Sequence, residues 1–291
     1  MKIVNIKGGL GNQMFQYAFA YVCKLKHPKE EVYIDVQHFS HYGLHNGFEL
    51  NEVFEGLKIS IAPKEIIKRI ALYLPHYKWY RILRKLRFKK QTEYLEKQDF
   101  TYDAEALYIN GDCYYDGYWQ AYQYFTDYRK MLQAEFKFKK INEQSLMLAR
   151  NIDNEESVGL HVRKGDYTDK GWGGICTIEY YTKAVTQILV QTKNPVFYIF
   201  SNDLNWCKQN ILPLLDGRQC VLVDFNKGKE SFCDMYLMAH CRYLVIANST
   251  FSWWGAFLNQ NAKQIIAPYP WNNSGIDAQI YGDDWSRIKM K

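Results

Sequence analysis

The sequence predicts an α/β protein built on parallel β-sheets, and three observations support this fold class. The chain begins with a strand, a glycine turn, a helix and a second strand. In its second half, apolar strands alternate regularly with helical segments. At 291 residues, 47% of them hydrophobic, the chain is long enough for one large or two medium-sized domains.

The first half opens with a β–turn–α–β unit. We predict a buried strand for "KIVNI" (2–6), a turn for "KGGLG", a helix for "NQMFQYAFAYVCKLK" (12–26) and the next strand for "EVYIDV" (31–36). The tyrosine-rich stretch from about 40 to 150 is predicted to be helical, with long loops.

A polar break in the middle of the chain predicts a domain boundary. It reads "RNIDNEES" (150–157) and separates a first α/β domain, 1–150, from a second domain, 151–291. The C-terminal tail of the second domain is expected to pack back on the first domain.

The second half predicts a doubly wound parallel sheet with helices on both faces. Such sheets bind ligands beyond the carboxyl ends of their strands, where "HVRKGDY" (161–167), "SND" (201–203) and "NSTFS" (248–252) are found. The predicted strands are "SVGLHV", "PVFYIFS", "QCVLVDF", "RYLVIAN" and "KQIIAPY", and the predicted helices are "IEYYTKAVTQILVQT", "DLNWCKQNIL", "ESFCDMYLMAHC" and "FSWWGAFLNQ".

Composition favours a soluble, cytoplasmic protein. The seven cysteines include no CxxC pair, and their odd number indicates reduced thiols rather than a disulfide framework. Neither a signal peptide nor a membrane-spanning stretch is recognisable in the sequence. The aromatic content of 16% suits stacking on sugars and suits core filling equally well.

The net charge of +6 is concentrated in one segment. Residues 64–90 contain ten Lys or Arg and one acid, Glu65, which gives +9 locally and, by difference, −3 for the rest of the chain. Apolar residues, including Trp79, interleave these bases. The segment is either a basic amphipathic surface for peripheral contact with an anionic membrane or a solvated helical face. Nucleic acid is not an expected partner, since no recognised binding motif accompanies the bases.

The turn "GGLGNQ" is a candidate anion site. Gly9 and Gly11 lie where a strand gives way to a helix, so backbone N–H groups and the helix dipole favour a phosphate there. The spacing matches neither a P-loop nor a dinucleotide-binding fingerprint. A tight turn without a ligand is the alternative.

The second half contains two further groups suited to phosphate. Ser249, Thr250 and Ser252 lie between a strand and a helix, where hydroxyls either cap the helix or bind phosphate oxygens. Arg163 follows an apolar strand, and its planar guanidinium suits bidentate phosphate contact. Two helix N-termini and an arginine, meeting across a cleft, would fit a diphosphate.

Three motifs in this order resemble the α-1,2-fucosyltransferase family (glycosyltransferase family 11, bacterial type). They are "GGLGNQMFQYA", "HVRKGDY" and "DMYLMAHCRYLVIANSTFSWWGAFLN". The resemblance implies a GT-B-type fold of two facing Rossmann-like domains with a cleft between them. It also implies inverting transfer of fucose from GDP-fucose to the 2-hydroxyl of a terminal β-galactose, as in cell-surface polysaccharide biosynthesis. The first domain would then serve the acceptor and the second the donor.

The resemblance also implies roles for individual residues. Arg163 matches the arginine that contacts the β-phosphate of the donor, and Asn12 matches an asparagine beside the reaction centre. Lys164 stands where many members have a second arginine. The catalytic candidates are Arg163, Asn12 and Asp166. With the glycine turn included, the donor-binding candidates are His161, Asn202, Asp203, Ser249, Thr250, Ser252, Gly9 and Gly11.

The reaction chemistry predicts an enzyme that needs neither a cofactor nor a metal. No DxD motif is present, and Arg163 with the helix dipoles can stabilise the charge that grows on the leaving phosphate. Asp166 is the nearest candidate base, although bracing of its loop is favoured, and Asp35, Glu49 and Asp234 are unranked alternatives. Use of another GDP-sugar and glycan binding without turnover are competing functions.

Overall fold

The computed structural model describes residues 1–41, 46–164 and 176–290. Within it the chain divides into two compact units, Met1–Lys139 and Lys140–Lys291. Both units are built on parallel sheets, as the sequence predicts. Among the described residues, no helix is both long enough and apolar enough to cross a membrane.

The predicted boundary at residue 150 differs from the observed one. The polar stretch assigned to it forms the end of a helix, Glu143–Asn154, and the start of a strand, Glu156–Val162. Asn142 caps this helix and donates from Nδ2 to Oδ1 of Asn226 at 2.9 Å, which ties the helix to the second unit. The polar composition therefore reflects a solvent-facing helix end and not a domain boundary.

The sheet of the first unit has the strand order β4-β2-β1-β6-β5, and a separate antiparallel pair joins β3 to β7. Short 3₁₀ helices occupy Gln37–His41, Ala104–Tyr108, Tyr122–Tyr124 and Thr126–Tyr128. The strands are β1 (Lys2–Asn5), β2 (Val32–Asp35), β3 (Phe54–Glu55), β4 (Ser60–Ile61), β5 (Glu93–Leu95), β6 (Cys113–Asp116) and β7 (Lys137–Phe138). The α-helices are α1 (Leu10–Lys26), α2 (Leu50–Val53), α3 (Lys64–Ile70), α4 (Tyr77–Lys85) and α5 (Arg129–Glu135).

The strand–turn–helix–strand start is confirmed, but the prediction for residues 40–150 is wrong in part. That region supplies β3 to β7, and β6 pairs with β1 inside the sheet, with Tyr115 opposite Val4. The four residues of β6 are buried on both faces. A short strand of this kind shows neither an alternating pattern nor a long apolar run, so periodicity does not distinguish it from a helix.

The sheet of the second unit is parallel throughout its described pairings, in the order β10-β9-β8-β11-β12-β13. The strands are β8 (Glu156–Val162), β9 (Pro195–Ser201), β10 (Cys220–Val223), β11 (Tyr243–Val245), β12 (Gln264–Tyr269) and β13 (Ser286–Lys289). The helices are α6 (Glu143–Asn154), α7 (Ile178–Leu189), α8 (Leu204–Asn210), α9 (Phe232–Met238) and α10 (Thr250–Leu258), with 3₁₀ turns at Leu212–Leu215 and Gly228–Glu230.

The predicted strands and helices of this half are confirmed. The central strand β8 is hydrogen-bonded on both sides, with Val158 opposite Phe197 on one neighbour and Tyr243 on the other. The C-terminal tail, expected to pack on the first domain, forms the edge strand β13 and pairs with β12 of its own unit. Continuation of the sheet satisfies backbone groups that would otherwise be left at an open edge.

A buried ion network closes the carboxyl end of the first sheet. Asp116, at the end of β6, receives Nζ of Lys7 at 2.8 Å and the hydroxyl of Tyr80 at 2.6 Å on Oδ1. Nε of Arg84, from α4, lies 2.7 Å from Oδ2 of Asp116, and the same guanidinium contacts both carboxylate oxygens of Glu93 at 3.0 Å. Arg84 therefore belongs to the interior, although the sequence groups it with the basic segment.

The cations of this network determine the charge state of Asp116. Burial would raise the pKa of its carboxyl, but Lys7 and Arg84 outweigh that effect and hold the pKa well below its usual range. Asp116 is therefore ionised in the folded protein. Two cations that share one buried carboxylate depend on it, because removal of the carboxylate would leave both in a poorly solvated site.

We predict that Asp116→Asn lowers the free energy of unfolding by about 3–5 kcal/mol in urea denaturation near pH 7, since Lys7 and Arg84 lose their counter-charge. The exposed Asp127 is the matched control, and Asp127→Asn should change stability by less than about 0.5 kcal/mol. Because the folded-state pKa of Asp116 is lowered, its contribution is complete above the unfolded pKa, about 3.9, and is lost as pH falls further. Equal stability of the two variants at pH 7 would contradict the network.

Candidate active site

The turn between β1 and α1 is shaped by Gly8 and Gly9. Gly8 has a positive φ of 84°, and a Cβ at this position would lie 2.7 Å from Nδ2 of Asn12. Gly9 is extended, and its carbonyl accepts the amides of Asn12 and Gln13 at 2.9 and 3.1 Å. The turn thus places Asn12 in the first turn of a 17-residue helix, at the carboxyl end of the sheet.

Two glutamines that sequence reasoning missed hold this turn. Gln13 donates from Nε2 to the carbonyls of Gly8 and Gly47 at 2.9 and 2.8 Å. Gln16 accepts the amide of Lys7 at 2.8 Å and donates to the carbonyl of Gly117. Both side chains are fully buried. The available signal was their position, since each lies among apolar residues of a buried helix, where an unpaired amide would be costly.

Asn12 itself is held by a residue that follows β6, the neighbour of β1 in the sheet. Its Oδ1 accepts a hydrogen bond from Nε2 of Gln120 at 2.8 Å. Gln120 follows a loop in which the amides of Tyr118 and Trp119 donate to the carboxylate of Glu96 at 2.5 and 3.0 Å. Burial raises the pKa of Glu96 to about 7, in spite of these bonds. Glu96 is a candidate base that the sequence did not single out.

Two predicted candidate bases of the first unit serve the fold. Asp35 is fully buried and accepts bonds from the amide of Gln37 and the hydroxyl of Tyr114, both at 2.8 Å. Burial raises the pKa of Glu49, and a bond from the amide of Leu10 opposes that shift. The Glu49 carboxyl therefore accepts a bond from an amide at the N-terminus of α1, where Gly9 and Gly11 were expected to attract a phosphate.

In the second unit, His161 and Arg163 lie at the end of β8. Burial, together with the positive charge of Arg163, lowers the pKa of His161 to about 3, so its imidazole is neutral near pH 7. The ring of His161 lies 6.2 Å from the ring of Phe251, in the first turn of α10. Arg163 is half-buried. Asp166, in the same motif, lies outside the described residues.

The "SND" residues are bonded inside the second unit. Asn202 accepts the amide of Lys164 at 2.8 Å and donates to its carbonyl at 2.5 Å. Asp203 caps α8 by accepting the amide of Trp206 at 2.9 Å. Nζ of Lys164 lies 3.8 Å from the Trp206 ring centroid, a cation–π contact. In the structure Asn202 thus joins the ends of β8 and β9, whereas Asp203 starts helix α8.

The hydroxyl cluster surrounds the N-terminus of α10. Ser249 occupies the N-cap position and makes no side-chain capping bond, and Thr250 is half-buried. Ser252 is fully buried, and its hydroxyl lies 3.3 Å from the carbonyls of both Ala247 and Ser249. Ser252 therefore shapes the turn, whereas Ser249 is buried without a capping bond and Thr250 is partly exposed at the N-terminus of the helix.

Asp234, the remaining candidate base, lies in α9. Its Oδ1 accepts a bond from Nδ2 of Asn226 at 2.8 Å, and burial raises its pKa to about 7. Within the described ranges, no group of three or more His, Cys, Asp or Glu side chains is arranged to hold a metal ion.

Comparison with known proteins identifies the family. The model of glycosyl transferase family 11 matches residues 1–289. The chain belongs to this family. An alpha-1,2-colitosyltransferase of Escherichia coli is 30% identical over 274 residues, which covers 92% of this chain and 91% of the relative. The O-antigen biosynthesis glycosyltransferase WbnK of E. coli is 30% identical over 305 residues, with 97% and 99% coverage.

More distant matches agree with this assignment. Human galactoside alpha-(1,2)-fucosyltransferase 1 is 28% identical over 152 residues, 47% of this chain and 40% of the human protein. The crystal structure of NodZ alpha-1,6-fucosyltransferase soaked with GDP-fucose has a TM-score of 0.53 at 13% identity, covering 94% of this chain and 96% of that one. This likeness confirms the GT-B type of architecture, with two Rossmann-like units.

We predict that Gly8→Ala lowers the kcat of sugar transfer by about 10²-fold, because the new Cβ displaces Asn12 and small displacements at a reaction centre have effects of that size. Gly217→Ala is the matched control: Gly217 also has a positive φ, 71°, but nothing lies within 4 Å of the added Cβ. Its backbone strain should lower the melting temperature with little change in kcat. Equal kcat values for the two variants would show that Asn12 does not need this placement.

Proposed function

We propose that this family 11 glycosyltransferase transfers L-fucose from GDP-fucose, with inversion, to the 2-hydroxyl of a terminal β-galactose on an oligosaccharide or glycolipid. The observation that carries the proposal is the pairing, on adjacent strands of the second sheet, of Arg163 after β8 with Ser249 and Thr250 after β11. A guanidinium and a helix N-terminus at neighbouring strand ends suit the diphosphate of a nucleotide-sugar.

The donor diphosphate is assigned to the second unit and the acceptor to the first. The amide of Leu10, at the N-terminus of α1, is already bonded to Glu49, and this disfavours a phosphate at Gly9 and Gly11. Asn12, held by Gln120, is then available to orient the acceptor or the transferred sugar. His161 is buried in β8, two residues before Arg163, and its neutral ring adds no charge there.

The chemistry of transfer favours these residues. Cleavage of the bond between the sugar and GDP leaves growing negative charge on the β-phosphate. Fixed positive groups at that phosphate stabilise the transition state more than the ground state, and Arg163 with the dipole of α10 supplies them without a divalent metal. Inversion implies direct attack by the acceptor hydroxyl, which must lose its proton as the new bond forms. Glu96 and Asp234, each with a pKa of about 7, are the described carboxylates whose basicity suits that step.

The setting of the reaction is inferred from cysteine chemistry and from a relative. All seven cysteines are free, which suits the reducing cytoplasm, where nucleotide-sugars would be used. WbnK is named for O-antigen biosynthesis. We infer a role in building a cell-surface polysaccharide.

We predict that Arg163→Lys lowers kcat with GDP-fucose and lactose by about 10²–10³-fold, since lysine keeps the charge but loses the paired donors. Arg163→Ala should lose more, with a melting curve close to that of the unmodified protein. Lys164→Ala is the matched control. Its side chain packs over Trp206 and its backbone bonds to Asn202 persist, so its loss in kcat should be much smaller. A folded Arg163→Ala with near-normal kcat would refute the phosphate contact.

A second candidate donor follows from the similarity to the colitosyltransferase, which extends over most of both chains. Colitose is fucose without its 3-hydroxyl, so the two GDP-sugars test whether the site bonds that group. A site whose polar groups bond the 3-hydroxyl of fucose should have a kcat/KM about 10⁴–10⁵-fold lower for GDP-colitose than for GDP-fucose. With colitose bound, those polar groups would be left unpaired. A preference for GDP-colitose would replace the proposed donor. Absence of turnover with either sugar, on a screen of galactose-terminated acceptors, would favour a glycan-binding protein.

A further inference from the structure

Helix α4 and the turn after it expose a row of large apolar side chains. Trp79 is 63% exposed, Ile82 49%, Leu86 63% and Phe88 57%. Trp79, Ile82 and Leu86 are spaced by three and four residues, so they share one side of the helix. Isolated exposed apolar residues are ordinary, whereas a continuous row of this kind marks an interaction surface.

Five exposed bases lie beside this row, on one flank of α4 and in the turn after it. They are Lys78, Arg81, Lys85, Arg87 and Lys89. In the parts of the chain that the structure describes, no carboxylate is paired with any of these five, and the sequence of 64–90 contains a single acid, Glu65. We call the apolar row together with these bases the α4 face.

The α4 face is held rigidly from behind. Tyr80 and Arg84, on the opposite side of the helix, are bound to Asp116 in the buried ion network. Arg84 also donates to the carbonyl of Phe88 at 2.9 Å, which fixes the turn that presents Phe88 and Leu86. The face therefore exists before any partner arrives, and binding needs little ordering of the chain.

We propose that the α4 face docks on an anionic phospholipid bilayer. A row of aromatic and aliphatic side chains inserts at the level of the headgroups, and the surrounding bases pair with lipid phosphates. Tryptophan favours this interfacial depth because its ring is apolar and its N–H is polar. The inference does not depend on which sugar is transferred, since the α4 face contains none of the proposed site residues.

Charge and hydrophobicity argue against two other partners of the α4 face, a second copy of this chain and a nucleic acid. A symmetric dimer through the α4 face would bring two copies of the same five bases together, and like charges at a desolvated interface repel. A nucleic acid would pair with the bases but would leave Ile82 and Leu86 without an apolar partner. An anionic bilayer offers both phosphate and hydrocarbon.

The test compares binding to phosphatidylcholine vesicles with binding to vesicles that also contain phosphatidylglycerol. The unmodified protein should sediment with the anionic vesicles only, and less in high salt. The triple variant Lys78→Glu, Arg81→Glu and Lys85→Glu should bind about 100-fold more weakly, since each base at an anionic surface contributes roughly fivefold. Its transfer to a dissolved disaccharide acceptor should be unchanged. Trp79→Phe should remove most of the tryptophan quenching by bromine-labelled lipid.

A matched triple variant separates the α4 face from net charge. Lys29→Glu, Lys130→Glu and Lys140→Glu reverse three exposed bases elsewhere and should keep most of the vesicle binding. The proposal is overturned if the unmodified protein does not sediment with anionic vesicles or if both triple variants lose vesicle binding equally. It is also overturned if sedimentation without lipid shows a dimer that only the α4 variant dissociates, since the face would then join two copies.

Discussion

The carboxylate of Asp116 is the group on which the first unit depends. It neutralises Lys7, which precedes the glycine turn, and Arg84, which comes from α4. Lys7 and Asp116 are 109 residues apart in the chain, so this one interaction links the start of the unit to its sheet interior. A buried carboxylate is costly by itself, and the arrangement is stable because two cations and a tyrosine hydroxyl surround it.

The same network connects two surfaces with different roles. On one side, the amide of Lys7 is held by Gln16, which belongs to the helix that presents Asn12. On the other side, Arg84 fixes the turn that exposes Phe88. The candidate reaction centre and the α4 face are thus anchored to one rigid cluster. In the second unit, Asn202 plays a comparable part, because its side-chain amide pairs with the backbone of Lys164 and fixes the chain directly after β8.

Polar residues at strand ends can serve to bind a ligand or to build the turn. Only their hydrogen bonds in the folded structure distinguish the two roles. Ser252 and Ser249 belong to one motif, yet the hydroxyl of Ser252 bonds backbone carbonyls while that of Ser249 does not cap its helix. Glu49 looks like an ordinary acid in the sequence, but its carboxylate lies at the N-terminus of α1. Glu96 went unnoticed because its raised pKa arises from burial by residues distant in the chain.

The sequence by itself determined the α/β class, the strand–turn–helix start, the regular alternation of the second half and the family. Hydrophobic period, glycine placement and each of the three motifs lie within short stretches of chain, so they can be recognised without the fold. Only the tertiary structure decided that β6 joins the first sheet, that the units divide near residue 140 and that Arg84 is internal while its neighbours are exposed. The reason is physical, since the partner of a buried charge or a short strand is chosen by packing between segments far apart in sequence.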